Sequence, residues 1–144
     1  MRLDAIFDLW AEDSQLDRAD LAHEALQIPA LHHKYYKIYS NERLALRSLE
    51  AELKVLKQDK FEFYTQGPTK ETHEKGWVLP PVGKVLKADS NGYIEADKDV
   101  IALNLKIGLA SEKVELLESI IRSLQNRGYQ IKTALDFVKF QNGQ

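Results

Sequence analysis

An unbroken heptad pattern runs from Val100 to Leu124 and limits what this chain can fold into. Its apolar positions alternate in steps of three and four: Val100, Leu103, Ile107, Ala110, Val114, Leu117, Ile121 and Leu124. Such spacing predicts one long amphipathic helix. A second apolar line lies beside the first, at Ile101, Leu105, Leu109, Leu116 and Ile120.

Two apolar lines give this helix more apolar surface than a single neighbouring helix covers. In a chain of 144 residues, another copy of the same chain is a good candidate for the second neighbour. We therefore interpret the eight heptad positions as an oligomer interface. The alternative is an ordinary core helix that the rest of its own chain surrounds.

A second long helix is predicted before the first. Pro29 suits the first turn of a helix, residues 30–66 contain no glycine or proline, and Gly67-Pro68 would end it. A separate short helix is expected to begin near Asp17.

The segment around Asn91-Gly92 resembles a hairpin turn, because both residue types tolerate positive φ angles. We therefore predict a small β-hairpin over residues 85–96. Residues 67–83 contain three glycines and three prolines and are predicted to be a loop, in which Trp77 is expected to tuck back or meet a partner. Asp97 or Asp99 should cap the heptad helix, Gly128 should end it, and a last helix should follow over residues 131–140.

Composition restricts the function classes. Charged residues make up 29% of the chain with a formal net charge of -2, so a nucleic-acid site would have to be a local patch. The absence of cysteine excludes disulfides and zinc sites of the cysteine type. No apolar run approaches the roughly 20 residues of a membrane span, and no signal-peptide core is visible. We expect a cytoplasmic protein without a membrane partner.

The sequence carries no recognisable catalytic or metal-binding constellation. The four histidines lack metalloprotease spacing, and neither a phosphate-binding loop nor a nucleophile elbow occurs. We predict a protein that is not an enzyme and that needs no metal or cofactor.

Cations on the helix of residues 30–66 lie nearly opposite its apolar side. They are Arg43, Arg47, Lys54 and Lys57, and the run continues into Lys60, Phe61 and Tyr64. Cations neutralise phosphates, and aromatic faces stack on unpaired bases. This combination is typical of binding single-stranded nucleic acid without sequence preference. A solvated surface of mixed charge is the alternative.

Four stretches resemble the UvsY family of phage recombination mediators. They are the opening MRL, LKQDKFEFYTQG, VLKADSNGYIEADKDV and SIIRSLQNRGYQIKTALDFVKF. Members of this family carry a lysine and an arginine two residues apart before an aromatic pair, and these serve DNA binding. Here Lys60 falls at the arginine position and Gln58 at the lysine position, with Lys57 one residue earlier.

The resemblance implies a single-strand-binding protein that assembles into a ring, as a hexamer or heptamer. Its implied partners are single-stranded DNA, a phage recombinase and a phage single-strand-binding protein, in the cytoplasm of an infected bacterium. The implied role is to help load the recombinase onto coated DNA during homologous recombination and repair.

The expected fold is mostly α, with long amphipathic helices, a small β-hairpin and assembly into a homo-oligomeric ring. Residues 1–96 would form a DNA-binding region, and residues 97–144 an oligomerisation region. The alternative function is a helical scaffold or assembly protein without a nucleic-acid role.

Overall fold

The computed structural model describes residues 1–143, and helices dominate this part of the chain. The α-helices are α1 (Leu3–Asp13), α2 (Leu21–Gln66), α3 (Lys70–Glu74), α4 (Ser90–Glu95) and α5 (Lys98–Gln141), with a 3-10 turn at Lys87–Asp89. The prediction of a mostly α protein is confirmed. No helix in residues 1–143 is long and apolar enough to cross a membrane.

Helix α2 is one continuous element, whereas the sequence predicted that it begins at Pro29 after a separate short helix from near Asp17. It begins after Asp20, whose carboxylate accepts a hydrogen bond from the His23 amide at 3.2 Å. Half-buried or buried side chains recur at helical spacing through the proline, at Leu21, Ala25, Ile28, Leu31 and Tyr35. Pro29 has no amide N–H and therefore cannot donate one helical hydrogen bond. Packing along this stripe outweighs that loss, so the helix continues through Pro29. The predicted end is confirmed, because Gly67 adopts a φ of 95°.

The predicted β-hairpin over residues 85–96 is wrong, because residues 87–95 are helical and no strand occurs in residues 1–143. Gly92 does not take the positive φ angle that the turn would require. The Ser90 hydroxyl instead donates to the Lys87 carbonyl at 2.7 Å, and Ile94 is buried. Burial of Ile94 thus outweighs the local turn preference of Asn-Gly.

Helix α5 also continues past its predicted end at Gly128. The Asp97 carboxylate caps its beginning by accepting from the amides of Asp99 at 2.9 Å and Val100 at 3.3 Å. Leu124 and Ile131, two turns apart around Gly128, are both buried. Their burial offsets the roughly 1 kcal/mol that a glycine costs inside a helix.

The chain forms two compact units, and α2 and α5 contribute residues to both of them. Unit 1 contains Met1–Leu44 and the chain from Ala110 onward, and unit 2 is Ala45–Leu109. These units cut across the regions 1–96 and 97–144. The assignment of those regions to DNA binding and oligomerisation stays a prediction.

Unit 1 has a core made by three helical segments, from α1, α2 and α5. Its buried members are Ile6, Tyr35, Leu117, Ile120, Ile121 and Leu124. Trp10 of α1 meets the Tyr35 ring edge-on, with the ring centroids 5.6 Å apart. This core therefore includes three of the heptad positions of α5.

The heptad line faces the interior of its own chain and is not an open surface for another copy. Val100, Ala110, Val114, Leu117, Ile121 and Leu124 are buried, and Leu103 and Ile107 are partly buried. The structure thus supports the alternative of an ordinary core helix for these positions. The second apolar line keeps an open part at Ile101, Leu105 and Leu109, and Leu105 is 71% exposed.

Unit 2 has a smaller aromatic core around the end of α2. Phe63, Tyr64, Ile94 and Val100 are buried there. Trp77 from the predicted loop packs edge-on against Phe63, with the ring centroids 5.5 Å apart. Of the two expected alternatives, the side chain thus tucks back onto its own chain. The Val85 amide donates to the Tyr64 carbonyl at 2.9 Å, which joins the segment after this loop to α2.

Candidate nucleic-acid interface

Lys60, the residue at the family's arginine position, lies in the interior of unit 2. It is only 3% exposed. Its ammonium group lies 3.1 Å from an Asp97 carboxylate oxygen and 2.8 Å from one of Asp99. The same nitrogen lies 3.6 Å from the centre of the Trp77 ring, a cation–π contact. Lys60 is therefore already neutralised and covered by its own chain.

Tyr64 belongs to the same buried cluster. Its hydroxyl donates to the Asp97 carboxylate at 2.6 Å. Burial, with the hydrogen bond to Asp97 and its charge, raises the pKa of Tyr64. Burial also acts to raise the pKa of Asp97, but the hydrogen bonds from Tyr64 and Lys60 outweigh it, so this pKa lies below its ordinary value. The cluster consequently holds an ionised Asp97 at neutral pH.

Lys57 and Phe61 lie at the border of this cluster. The Lys57 ammonium pairs with Glu95 at 3.0 Å, and both side chains are partly exposed. Such a pair is worth little in water and can exchange for a phosphate. Phe61 is partly buried and packs against the unit 2 core, so only part of its ring is open to a base.

Arg47 and Lys54 are the exposed predicted cations of unit 2. They are seven residues apart on α2, which places them on one face of the helix. Neither forms an ion pair within residues 1–143. Arg43 lies in unit 1, where its guanidinium group lies 5.0 Å from the Tyr39 ring centre.

The structure thus divides the predicted site residues by accessibility. Arg47, Lys54 and, in part, Lys57 present charge to solvent, whereas Lys60 and Tyr64 do not. Sequence reasoning missed Asp97 and Asp99 as partners of Lys60 and interpreted them only as helix caps. The two acids of the sequence DKD, where α5 begins, were a visible signal, but the pairing of Asp99 with residue 60 spans more than 35 positions.

Within residues 1–143, no group of three or more potential ligands could hold a metal ion. The buried side chains pack in the two cores or, like Lys60 and Glu42, form ion pairs. Among the predicted cations, Arg47 and Lys54 lie exposed on one face of α2, which also carries Glu50. The fold and this face define a helical protein with a candidate interface for an anionic polymer.

Comparison with known proteins agrees with this class. The family model described as "Recombination, repair and ssDNA binding protein UvsY" matches residues 9–144. The chain belongs to the UvsY family, and the family resemblance is confirmed. No curated protein sequence matches the chain significantly.

Crystal structures of the bacteriophage T4 recombination mediator protein UvsY share the fold. The lattice type II structure has a TM-score of 0.84 at 20% identity, covering 99% of this chain and 98% of that one. Lattice type I gives a TM-score of 0.81 at 19% identity, with 95% and 98% covered. Lattice type IV gives 0.78 at 20% identity, with 98% and 99% covered.

Proposed function

We propose that this chain is a recombination mediator that binds single-stranded DNA. In this role it helps to load a phage recombinase onto DNA coated by a single-strand-binding protein. The observation that carries the proposal is the family match over residues 9–144. The unpaired, exposed cations of α2 support it, because phosphate contacts need charge that the protein has not already neutralised.

In unit 2, we assign the phosphate contacts to Arg47 and Lys54, with Lys57 joining when it leaves Glu95. Lys60 acts beneath this face by fixing Asp97 and Asp99 near the start of α5. Each chain then offers only a few cations, and its net charge of -2 opposes DNA. A single copy should bind weakly, whereas several copies on one strand gain about 10²–10⁴-fold through avidity.

We propose that the copies assemble as a closed homo-oligomeric ring through apolar surfaces that one chain leaves open. One surface is the line Ile101, Leu105 and Leu109 of unit 2. A second, in unit 1, is the end of α5, where every residue from 132 to 141 is exposed, including Phe137 and Phe140. Exposed apolar patches of this kind mark protein interfaces.

Light scattering of the protein with and without a long single-stranded oligonucleotide tests the function. A mediator should show one oligomer mass alone and a larger complex mass with DNA. A scaffold protein without a nucleic-acid role would give the same mass in both runs, and that result would overturn the proposal.

Two matched substitutions test the interface within the same measurement. Leu105→Asp adds a charge on the open line and should lower the oligomer mass with the helix content retained. Leu117→Asp adds a charge in the buried core and should instead unfold unit 1, which circular dichroism would show. An unchanged mass for Leu105→Asp would exclude the open line as an interface.

A further inference from the structure

In unit 1, aromatic rings and a guanidinium group form a ladder along α2. The His32 and Tyr36 rings are stacked, with their centroids 5.8 Å apart and their planes inclined by 20°. The Tyr36 and Tyr39 centroids are 5.6 Å apart, and the Arg43 guanidinium carbon lies 5.0 Å from the Tyr39 centre. Steps of four, three and four residues place all four groups on one side of the helix.

The middle of this ladder is open to solvent. Tyr36 is 45% exposed although it is an aromatic residue. It lines a shallow groove of about 400 Å³ together with His33, Lys37, Ser40 and Asn41. The Tyr39 ring is fixed by its hydroxyl, which donates a hydrogen bond to Glu118 of α5 at 3.0 Å. A planar ligand can therefore approach Tyr36 without any rearrangement of the core.

The stretch of α2 that carries the ladder is positive, while Glu118 of α5 accepts a hydrogen bond from Tyr39. No acidic residue occurs between Glu24 and Glu42, a stretch that holds Lys34 and Lys37. Lys34 pairs with Asp13 at 2.7 Å, and the largely buried Glu42 pairs with Lys113 at 3.0 Å. Lys37 and Arg43 form no ion pair within residues 1–143. The exposed Tyr36 ring and the partly exposed His32 ring, beside unpaired cations, complement unpaired bases beside phosphates.

We propose that the ladder His32–Tyr36–Tyr39–Arg43 is a base-stacking platform for single-stranded DNA, with Lys37 and Arg43 contacting phosphates. This inference rests on the proposed function and adds to it a second site, in unit 1. The unit 2 cations Arg47 and Lys54 supply charge, but the neighbouring rings Phe63 and Tyr64 are buried and cannot stack on a base. Unit 1 therefore adds stacking contacts to the partly open Phe61 ring of unit 2.

Substitutions on the exposed side of the ladder separate stacking from charge. Tyr36→Leu removes the ring and should weaken binding of a single-stranded oligonucleotide about tenfold without changing its salt dependence. Tyr36→Phe keeps the ring and should bind like the wild type. Lys37→Gln should make the log–log salt slope shallower by about 0.7 per chain that contacts DNA. Because both side chains are exposed, circular dichroism should show each variant folded.

Photo-crosslinking locates the contact directly. An oligonucleotide that carries 5-iodouracil should crosslink to Tyr36 or His32 in the full-length wild-type protein, as mapped by mass spectrometry. Crosslinks confined to unit 2, or wild-type affinity for Tyr36→Leu, would overturn the platform and leave DNA binding intact. Wild-type affinity for Tyr36→Leu would also fit a surface that meets a protein partner instead. An absence of oligonucleotide binding by the wild type would overturn the proposed function itself.

Discussion

The two units contain nearly the same side-chain cluster, but in different degrees of burial. In unit 1, Tyr35 donates to the Asp13 carboxylate at 2.7 Å and Lys34 pairs with it at 2.7 Å. In unit 2, Tyr64 donates to Asp97 at 2.6 Å and Lys60 pairs with it at 3.1 Å. The Lys34 side chain is 42% exposed, whereas that of Lys60 is 4% exposed.

A tryptophan completes each cluster and shows how the burial differs. In unit 1, Arg127 lies over Trp10 at 5.4 Å and donates to the Asp13 backbone carbonyl at 2.8 Å. The buried cation of this cluster is therefore Arg127, and Lys34 stays partly exposed. In unit 2, Lys60 both pairs with Asp97 and lies over Trp77. The comparison teaches that a lysine beside aromatic residues can be either a surface charge or a core ion. Residue type and spacing do not distinguish the two.

Removing the buried lysine should have the largest effect. Lys60→Ala leaves the Asp97 charge largely buried without its cation, so we expect a loss of about 3–5 kcal/mol in the free energy of unfolding. Urea denaturation followed by circular dichroism measures this. Asp97→Asn in the Lys60→Ala background should restore part of the loss, because it removes the unpaired charge. Equal stability of Lys60→Ala and the wild type would show that Lys60 is not a core ion.

Asp97→Asn alone should have a smaller effect that depends on pH. The pKa of Asp97 is lowered in the folded state, so its ionised form stabilises the fold above the unfolded pKa of about 4. This contribution is lost as the pH falls through the folded pKa. The stability difference between wild type and Asp97→Asn should therefore be constant near neutral pH and shrink in acid. A difference that grew in acid would contradict the assignment.

Removing the two tyrosine hydroxyls should have similar, intermediate effects. Tyr64→Phe and Tyr35→Phe each delete one donor to a carboxylate, and such hydrogen bonds contribute about 1.5–3 kcal/mol. Both phenylalanine rings fill the same space, so packing is retained. Urea midpoints of the two variants test whether the clusters are equivalent at this position. A large loss in only one of them would break the parallel between the units.

Removing the exposed lysine should have the smallest effect. Lys34→Ala breaks an ion pair that water screens, so we expect a change of about 1 kcal/mol or less. Added salt should reduce the difference further. A loss as large as that for Lys60→Ala would mean that exposure does not separate the two lysines.

Local signals in the sequence predicted several helix boundaries correctly. Gly67 ends α2, and Asp97 caps α5, because both act through neighbouring backbone groups. Pro29 predicted a helix start and Gly128 a helix end, but packing with distant residues keeps α2 and α5 continuous there. Asn91-Gly92 failed for the same reason, since the burial of Ile94 decides the conformation of that segment.

The candidate site could be predicted only in part. The face of Arg47 and Lys54 follows from helical spacing, which depends on local geometry. The burial of Lys60 depends on Asp97 and Asp99, which the fold brings close from a distant part of the chain. The ladder lies within the helix predicted over residues 30–66, but the exposure of Tyr36 beside the buried Tyr35 depends on which face of α2 packs in unit 1.

The salt dependence of oligonucleotide binding tests the central claim that exposed cations, and not Lys60, contact DNA in unit 2. Arg47→Gln with Lys54→Gln should make the log–log slope shallower by about 1.4 per bound chain. Lys60→Met with Asp97→Asn removes the buried pair together, so this protein should keep the wild-type slope while folded by circular dichroism. A wild-type slope for the first protein and a shallower slope for the second would contradict the account.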